Sequence, residues 1–297
     1  MNTVIRRTVR FPDGIISFLE WEAPKGAPVL VFAHANGFNA STYRRLLEPL
    51  AGEFRVLALD MRGHGETALP TDSRLARGWR AFRDDLLRFL DRLQIRPDVL
   101  AGHSLGASAI VLAAAARQDI ARAIVVAEPV MAADRTAFGA AVARLRGRSG
   151  QVVPLVAMAL KRRAQFKSRE EAIKSFTGRG PFRTWPQEMV ADYIEGGLVA
   201  EGDAFRLACD PAWEAASFAT YPFRMGALGS RIKIPVTILS GTVNSATAPP
   251  VLAEFIRRQG QARSIVIEGA SHFLPMEHPD RVREEIRRAL SGRVRTP

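Results

Sequence analysis

Apolar residues run along this chain in two rhythms. Short unbroken runs, PVLVFAH (28–34), FRVLALD (54–60), DVLAGHS (98–104), ARAIVVAE (121–128), PVTILSG (235–241) and ARSIVIEG (262–269), read as strands buried on both faces. Between them the spacing becomes helical. In GWRAFRDDLLRFLDRLQI (78–95), Trp79, Phe82, Leu86, Phe89, Leu90 and Leu93 form one stripe. PPVLAEFIRRQ (249–259) and a charged segment from about Asp280 predict two more helices. RRTVRF and ISFLEWEA, joined by the turn signal Pro12-Asp13-Gly14, predict an opening hairpin.

Strand–helix alternation predicts an α/β fold whose sheet is mostly parallel, with right-handed crossovers. The beat stops after Glu128 and restarts at Ile234-Pro235. The stretch between reads as several helices without good strands, inserted across one end of the sheet. Expected boundaries are a core of residues 1–128 and 230–297 and an insertion of 129–229. Its most apolar run, VVPLVAMAL (152–160), has two readings: a wall of a substrate channel, or the insertion's own core.

Composition narrows the function classes. The 297 residues are 47% apolar, which suits a globular chain. The N-terminal residues are charged, and the longest apolar runs are too short for a bilayer span. The expectation is a cytoplasmic protein with no stable membrane insertion. One cysteine, Cys209, excludes an intramolecular disulfide. The net charge of +12 comes mostly from arginine and is scattered, with denser patches at 144–148, 161–169 and 281–295. Without interleaved aromatics or a nucleic-acid motif, these patches read as solvated helix faces, and no nucleic acid is expected. Histidine and cysteine are too few and scattered for a structural zinc site, Gly63-x-Gly65 is a turn rather than a phosphate cradle, and no metal or other cofactor is expected.

The chemistry centres on Gly102-His103-Ser104-Leu105-Gly106, between a strand and a helix. Gly-x-Ser-x-Gly in that context is a nucleophile elbow: a sharp turn that lifts Ser104 above the strand ends and needs small neighbours. A serine nucleophile requires a base. Of five histidines, His34 and His64 read as local hydrogen-bonding residues, His103 lies inside the elbow with its side chain directed away from that of Ser104, and His278 lies beside Pro279 at a helix start. His272, in the loop after the last strand, shares the elbow's end of the sheet.

The motifs HANGF (34–38), DMRGHGET (60–67), GHSLG (102–106) and GASHFLPMEHP (269–279), in that order, make the chain resemble the α/β-hydrolase family. The resemblance implies an eight-stranded, mostly parallel sheet flanked by helices, a helical cap after the sixth strand, and a triad in the order serine, acid, histidine. It also implies oxyanion donors at Leu105 and Asn36, with Phe38 edging the pocket. His-Ala stands at 34–35 where the family has His-Gly, so a donor one residue away stays open. Phe273 and the insertion's Phe166, Phe176, Trp185 and Trp213 are further substrate-contact candidates.

The acid departs from the family pattern. Where G-x-x-D is usual after the seventh strand, this chain reads Gly241-Thr242-Val243-Asn244. An amide holds a histidine but does not stabilise its cation, and costs about 10⁴ in turnover. Glu128, ending the sixth strand, takes the role in this reading; some relatives place their acid there. The opposing reading is a strand-end carboxylate paired to an arginine. With Ser104, His272 and Glu128 the sequence points to a carboxylic-ester hydrolase acting on a small-to-medium, apolar substrate through an acyl-enzyme. Lactone, thioester and carbon–carbon hydrolysis share the constellation, and a non-catalytic ligand binder of the same fold is the alternative class. Serine at 104 argues against dehalogenase and epoxide-hydrolase chemistry, which use aspartate. Oligomeric state is left open.

Overall fold

The computed structural model describes residues 3–72 and 78–291. The basic patch at 281–295 therefore ends outside the described residues. Eight strands form the central sheet: β1 (Val4–Phe11), β2 (Gly14–Trp21), β3 (Val29–Ala33), β4 (Arg55–Leu59), β5 (Val99–His103), β6 (Ala123–Ala127), and, after three short strands introduced below, β10 (Val236–Val243) and β11 (Arg263–Ser271). Their order is β1-β2-β4-β3-β5-β6-β10-β11. The β1–β2 hairpin and the β2–β4 pair are antiparallel; every other pair is parallel.

Side chains alternate across this sheet, and both faces are covered. Val31, Leu57, Leu100 and Val126 point into one core, while Leu30, Phe32, Ala101 and Val125 point into the other. That is why the strands read as unbroken apolar runs. Helices fill both faces: α1 (Arg44–Leu47), α2 (Arg80–Leu93) and α3 (Leu105–Ala116) in the first half, with α10 (Pro249–Gln259), α11 (Leu274–Glu277) and α12 (Pro279–Ser291) after the insertion. In α2 the buried apolar residues are Phe82, Leu86, Phe89 and Leu90, the expected stripe; Trp79 just precedes the helix and Leu93 is half-buried. Alanine-rich α3 is buried nearly all round, since its short side chains admit close packing on the sheet.

Between β6 and β10 lie α4 (Asp134–Leu145), α5 (Ser149–Val152), α6 (Pro154–Leu160), α7 (Arg169–Phe176), α8 (Gln187–Gly197) and α9 (Pro211–Phe218). The expectation of a strandless insertion needs correction. Strands β7 (Gln165–Phe166), β8 (Leu198–Glu201) and β9 (Ala204–Leu207) form a small antiparallel sheet. Gly202, at φ +59, closes the β8–β9 hairpin. Strands of two to four residues are too short for an alternation signal. The apolar run 152–160 divides: Val156 and Ala159 are buried, whereas Leu155, Met158 and Leu160 are exposed.

Candidate active site

The β5–β6 register pairs His103 with Ala127, so the next residues, Ser104 and Glu128, emerge side by side. Both leave their strands with positive φ, 53° and 52°. Such backbone in a non-glycine residue stores about 1–3 kcal/mol, which the packing around it must hold. Ser104 N–H donates to Ala127 O at 3.0 Å and Glu128 N–H to Leu239 O at 2.8 Å, pinning each turn to its neighbouring strand. A Cβ on Gly106 would stand 2.2 Å from Ala33 O, so no side chain fits beside the elbow.

His272 reaches back from the end of β11 into this corner. Its Nε2 lies 3.0 Å from Ser104 Oγ and its Nδ1 3.1 Å from Glu128 Oε2. The Glu128 carboxylate is fully buried, and protons converge on it. Oε1 accepts from Gly241 N–H at 2.7 Å and Ser245 Oγ at 2.8 Å; Oε2 accepts from Ala246 N–H at 2.8 Å. This donor set satisfies the carboxylate, and among the described residues no arginine is paired with it. Asn244 is exposed and has no hydrogen bond to the ring. The loop after β10 thus supplies a cradle for the carboxylate in place of the carboxylate itself. Nothing in the sequence marked Ser245 or the amides of Gly241 and Ala246 for that purpose.

His103, within the elbow, orients the histidine loop. Tyr43 accepts from Ala35 N–H at 3.1 Å and donates to His103 Nδ1 at 2.7 Å; His103 Nε2–H then donates to His272 O at 2.8 Å. Burial, followed by the charge of His272, holds the His103 pKa well below the ordinary value, as this neutral tautomer requires. The chain of bonds ties the loop after β3 to the loop after β11.

The loop 34–38 is set by two more buried imidazoles. His34 Nε2 accepts from Met61 N–H at 2.8 Å, and His64 Nε2 accepts from Gly37 N–H at 2.9 Å. Each Nδ1–H donates to a carbonyl, of Ala35 and Arg62 respectively. Burial lowers the His34 pKa to about 4; burial and then the His34 ring lower that of His64 to about 3. The unfolded chain therefore binds these protons from pH 6.5 downward while the folded protein does not. Stability contributed by the pair is complete above pH 6.5 and is lost as pH falls toward about 4 and about 3, at about 1.4 kcal/mol per pH unit for each ring. Urea titrations at pH 7 and pH 5 check this: the midpoint drops, and replacing His34 and His64 by glutamine weakens the drop. An unchanged drop in that variant contradicts the assignment.

Among the described residues, the N–H groups of Asn36 and Leu105 have no acceptor. Gly106 N–H donates to His34 O at 3.0 Å, bringing the loop that carries Asn36 against the start of α3. The Asn36 side chain is otherwise engaged: its Nδ2 donates to Glu214 O at 3.1 Å. Glu214, on α9, pairs with Arg162 at 2.5 Å, and Arg162 also donates to Tyr193 Oη at 2.5 Å. A Cβ on Gly37 would lie 2.4 Å from Glu214 Oε1. The insertion thus clamps this loop through a largely buried ion pair. Glu214→Ala strands the guanidinium, and its expected cost is roughly 3 kcal/mol of unfolding free energy. Equilibrium denaturation checks it; a loss below roughly 1 kcal/mol places the clamp elsewhere.

Aromatic rings wall the His272 side. Phe273 lies 5.7 Å from His272 and 6.1 Å from Phe38, between ring centroids, and Trp185 is 5.5 Å from Phe38 and 6.0 Å from Phe273. Phe182 and Tyr193, not anticipated from sequence, also pack on Phe38. Phe166 and Phe176 stack behind them, two rings from the site. Trp213 does not join this wall; it packs on Phe82 and its Nε1 donates to Arg62 O. Among the described residues no group of three or more His, Cys, Asp or Glu side chains is placed to hold a metal, and no helix is long and apolar enough to cross a membrane.

A family model described as the alpha/beta hydrolase family matches residues 30–285. The chain is similar to 2-(acetamidomethylene)succinate hydrolase of Mesorhizobium japonicum, 23% identical over 85% of this chain and 84% of that one. It is also similar to (E)-2-((N-methylformamido)methylene)succinate hydrolase of Acinetobacter baylyi, 24% identical over 89% of this chain and 90% of that one. The crystal structure of E-2-(acetamidomethylene)succinate hydrolase superposes with a TM-score of 0.77 at 21% identity, over 97% of this chain and 100% of that chain.

Proposed function

The chain belongs to the alpha/beta hydrolase family, and from that premise we propose that it is a serine hydrolase cleaving a carboxylic ester of a small-to-medium apolar substrate. The observation that carries the reading is one imidazole within 3.1 Å of both Ser104 Oγ and the Glu128 carboxylate. Ser104 Oγ attacks the carbonyl carbon while His272 Nε2 takes its proton. Glu128 holds Nδ1–H and stabilises the imidazolium formed. The N–H groups of Leu105 and Asn36 receive the developing oxyanion. Collapse expels the alcohol, which takes the proton back from His272. Water, deprotonated by the same ring, then attacks the acyl-enzyme and frees the acid and Ser104.

Phe38, Phe273 and Trp185 give the substrate an apolar wall, and residues 129–229 act as the cap that carries part of it. The Asn244 departure ceases to favour a non-catalytic binder once a carboxylate already stands at the ring. A panel of p-nitrophenyl esters of increasing acyl length tests the reading. Turnover that depends on acyl length is expected. If the folded protein hydrolyses none of them, yet hydrolyses the succinate compounds named for its relatives, their reading replaces this one.

A further inference from the structure

Among the described residues, the arginines of two of the three arginine-rich patches are engaged within the fold. At 161–169, Arg162 pairs with Glu214, Arg163 with Glu171, and Arg169 donates to the carbonyls of Ile194, Glu195 and Leu198. In α12, Arg281 and Arg288 pair with Glu284, Arg283 with Asp280, and Arg287 with Glu53. The patch at 144–148 is different: no carboxylate partner of Arg144, Arg146 or Arg148 is found among the described residues.

Arg144 opens onto a groove of about 740 Å³ between α2, α3, α4 and the segment 219–231. Among the described residues four arginines line it, Arg80, Arg83, Arg144 and Arg231, and no carboxylate does. Arg83 is paired with Asp84, but the other three have no carboxylate partner among the described residues. Leu112, Ala115, Ala137 and Ala141 form its apolar floor, and Trp79, Thr220, Tyr221 and Phe223 also line it. None of Ser104, His272, Glu128, Asn36, Phe38 or Phe273 contributes. The nearest residues of α3, Leu112 to Ala116, lie about 10–16 Å along the helix from its start at the elbow. The volume falls within that of small-molecule sites, about 300–1,000 Å³, and the lining divides almost evenly between polar and apolar surface.

Uncompensated guanidinium groups over an alanine floor select a ligand with two parts. The cations ask for a carboxylate or phosphate. Of the polar side chains in the lining, Trp79 Nε1 already donates to Ser217 O and Thr220 Oγ1 to Ala216 O and Ser217 O, so the alanine and leucine floor is matched best by a methylene chain. Phe138, 65% exposed, and Leu145, 89% exposed, stand on the adjoining face of α4 and extend the apolar surface beyond the groove. We propose that this groove is a second ligand site, separate from the Ser104 corner, that binds a single-chain anionic amphiphile with its head on Arg144 and Arg231 and its chain over Ala137 and Ala141.

Calorimetric titration with monomeric decyl phosphate tests it. One binding event is expected. Its affinity falls roughly tenfold or more in Arg144→Glu/Arg231→Glu, and likewise in Ala141→Trp, which fills the floor without touching charge. Neutral decyl maltoside binds at least roughly tenfold more weakly, and inorganic phosphate at equal concentration does not displace the amphiphile. Hydrolysis of a p-nitrophenyl ester and the thermal midpoint stay unchanged in both variants, so a failed fold is visible. Unaltered affinity in both variants overturns the site. Equal binding of the maltoside overturns the anionic head, and displacement by phosphate overturns the chain. Co-sedimentation with phosphatidylglycerol vesicles in the absence of decyl phosphate binding assigns the surface to a bilayer and overturns a free ligand.

Discussion

Ser104→Ala is expected to lower ester turnover by about 10⁶-fold, to the background that oxyanion donors and binding alone sustain. The size of the effect follows from the site's economy of nucleophiles. Cys209 is buried, and burial raises its thiol pKa well above the ordinary value, so it does not substitute. Among the described residues the serine hydroxyl has one side-chain partner, His272 Nε2 at 3.0 Å. Its removal leaves a ring that is about one quarter exposed and free to bind water. Alanine shares serine's backbone restriction at φ 53, so the elbow is no more strained than before. The stability change is therefore within about 1 kcal/mol, and the kinetic loss reads chemistry rather than folding. Steady-state kinetics with matched denaturation curves check it. A folded variant that retains more than roughly one per cent of activity sets Ser104 aside.

Glu128→Gln is expected to cost about 10⁴ in kcat, while Asn244→Ala leaves it unchanged. Donors from Gly241, Ser245, Ala246 and His272 all face the Glu128 oxygens. A glutamine offers one acceptor oxygen and one NH₂ to that ring of donors. Whichever way it turns, one donor meets another. If the NH₂ faces His272, Nδ1 becomes the acceptor and the proton moves to Nε2, where it points at Ser104 and the ring ceases to be a base. If it faces Gly241, a buried N–H is left unmatched at about 1–3 kcal/mol. Stability falls along with activity, so Glu128→Asp serves as a second variant: it keeps the charge and retracts it by one methylene. Activity between that of wild type and of Glu128→Gln is expected. If Asn244→Ala loses turnover and Glu128→Gln retains it, the placement of the acid is wrong.

Much of this corner was legible in the sequence because its parts depend on local signals. The elbow needs Gly106 and a strand–helix junction, and both are contiguous. Glu128 was readable from strand counting: a carboxylate closing an apolar strand beside the elbow strand has few places to go. What stayed hidden is set by residues that meet only in the fold. The cradle from Gly241, Ser245 and Ala246 is mostly backbone. The relay Ala35–Tyr43–His103–His272 joins three elements, and Tyr43 carries no motif. The clamp of Arg162 and Glu214 on the loop 34–38 spans 52 residues of chain. In the insertion, burial overrode pattern: Trp213 met the same compositional criterion as Trp185 but faces Phe82, and strands of two to four residues were too short to register a period.

The relay of Ser104, His272 and Glu128 is tested most directly by reacting the intact protein with a fluorophosphonate and locating the adduct by peptide mass spectrometry. One phosphonyl group on Ser104 is predicted, forming far more slowly in Glu128→Gln than in Asn244→Ala. Folded protein that takes up no label, or takes it at a residue other than Ser104, contradicts the account.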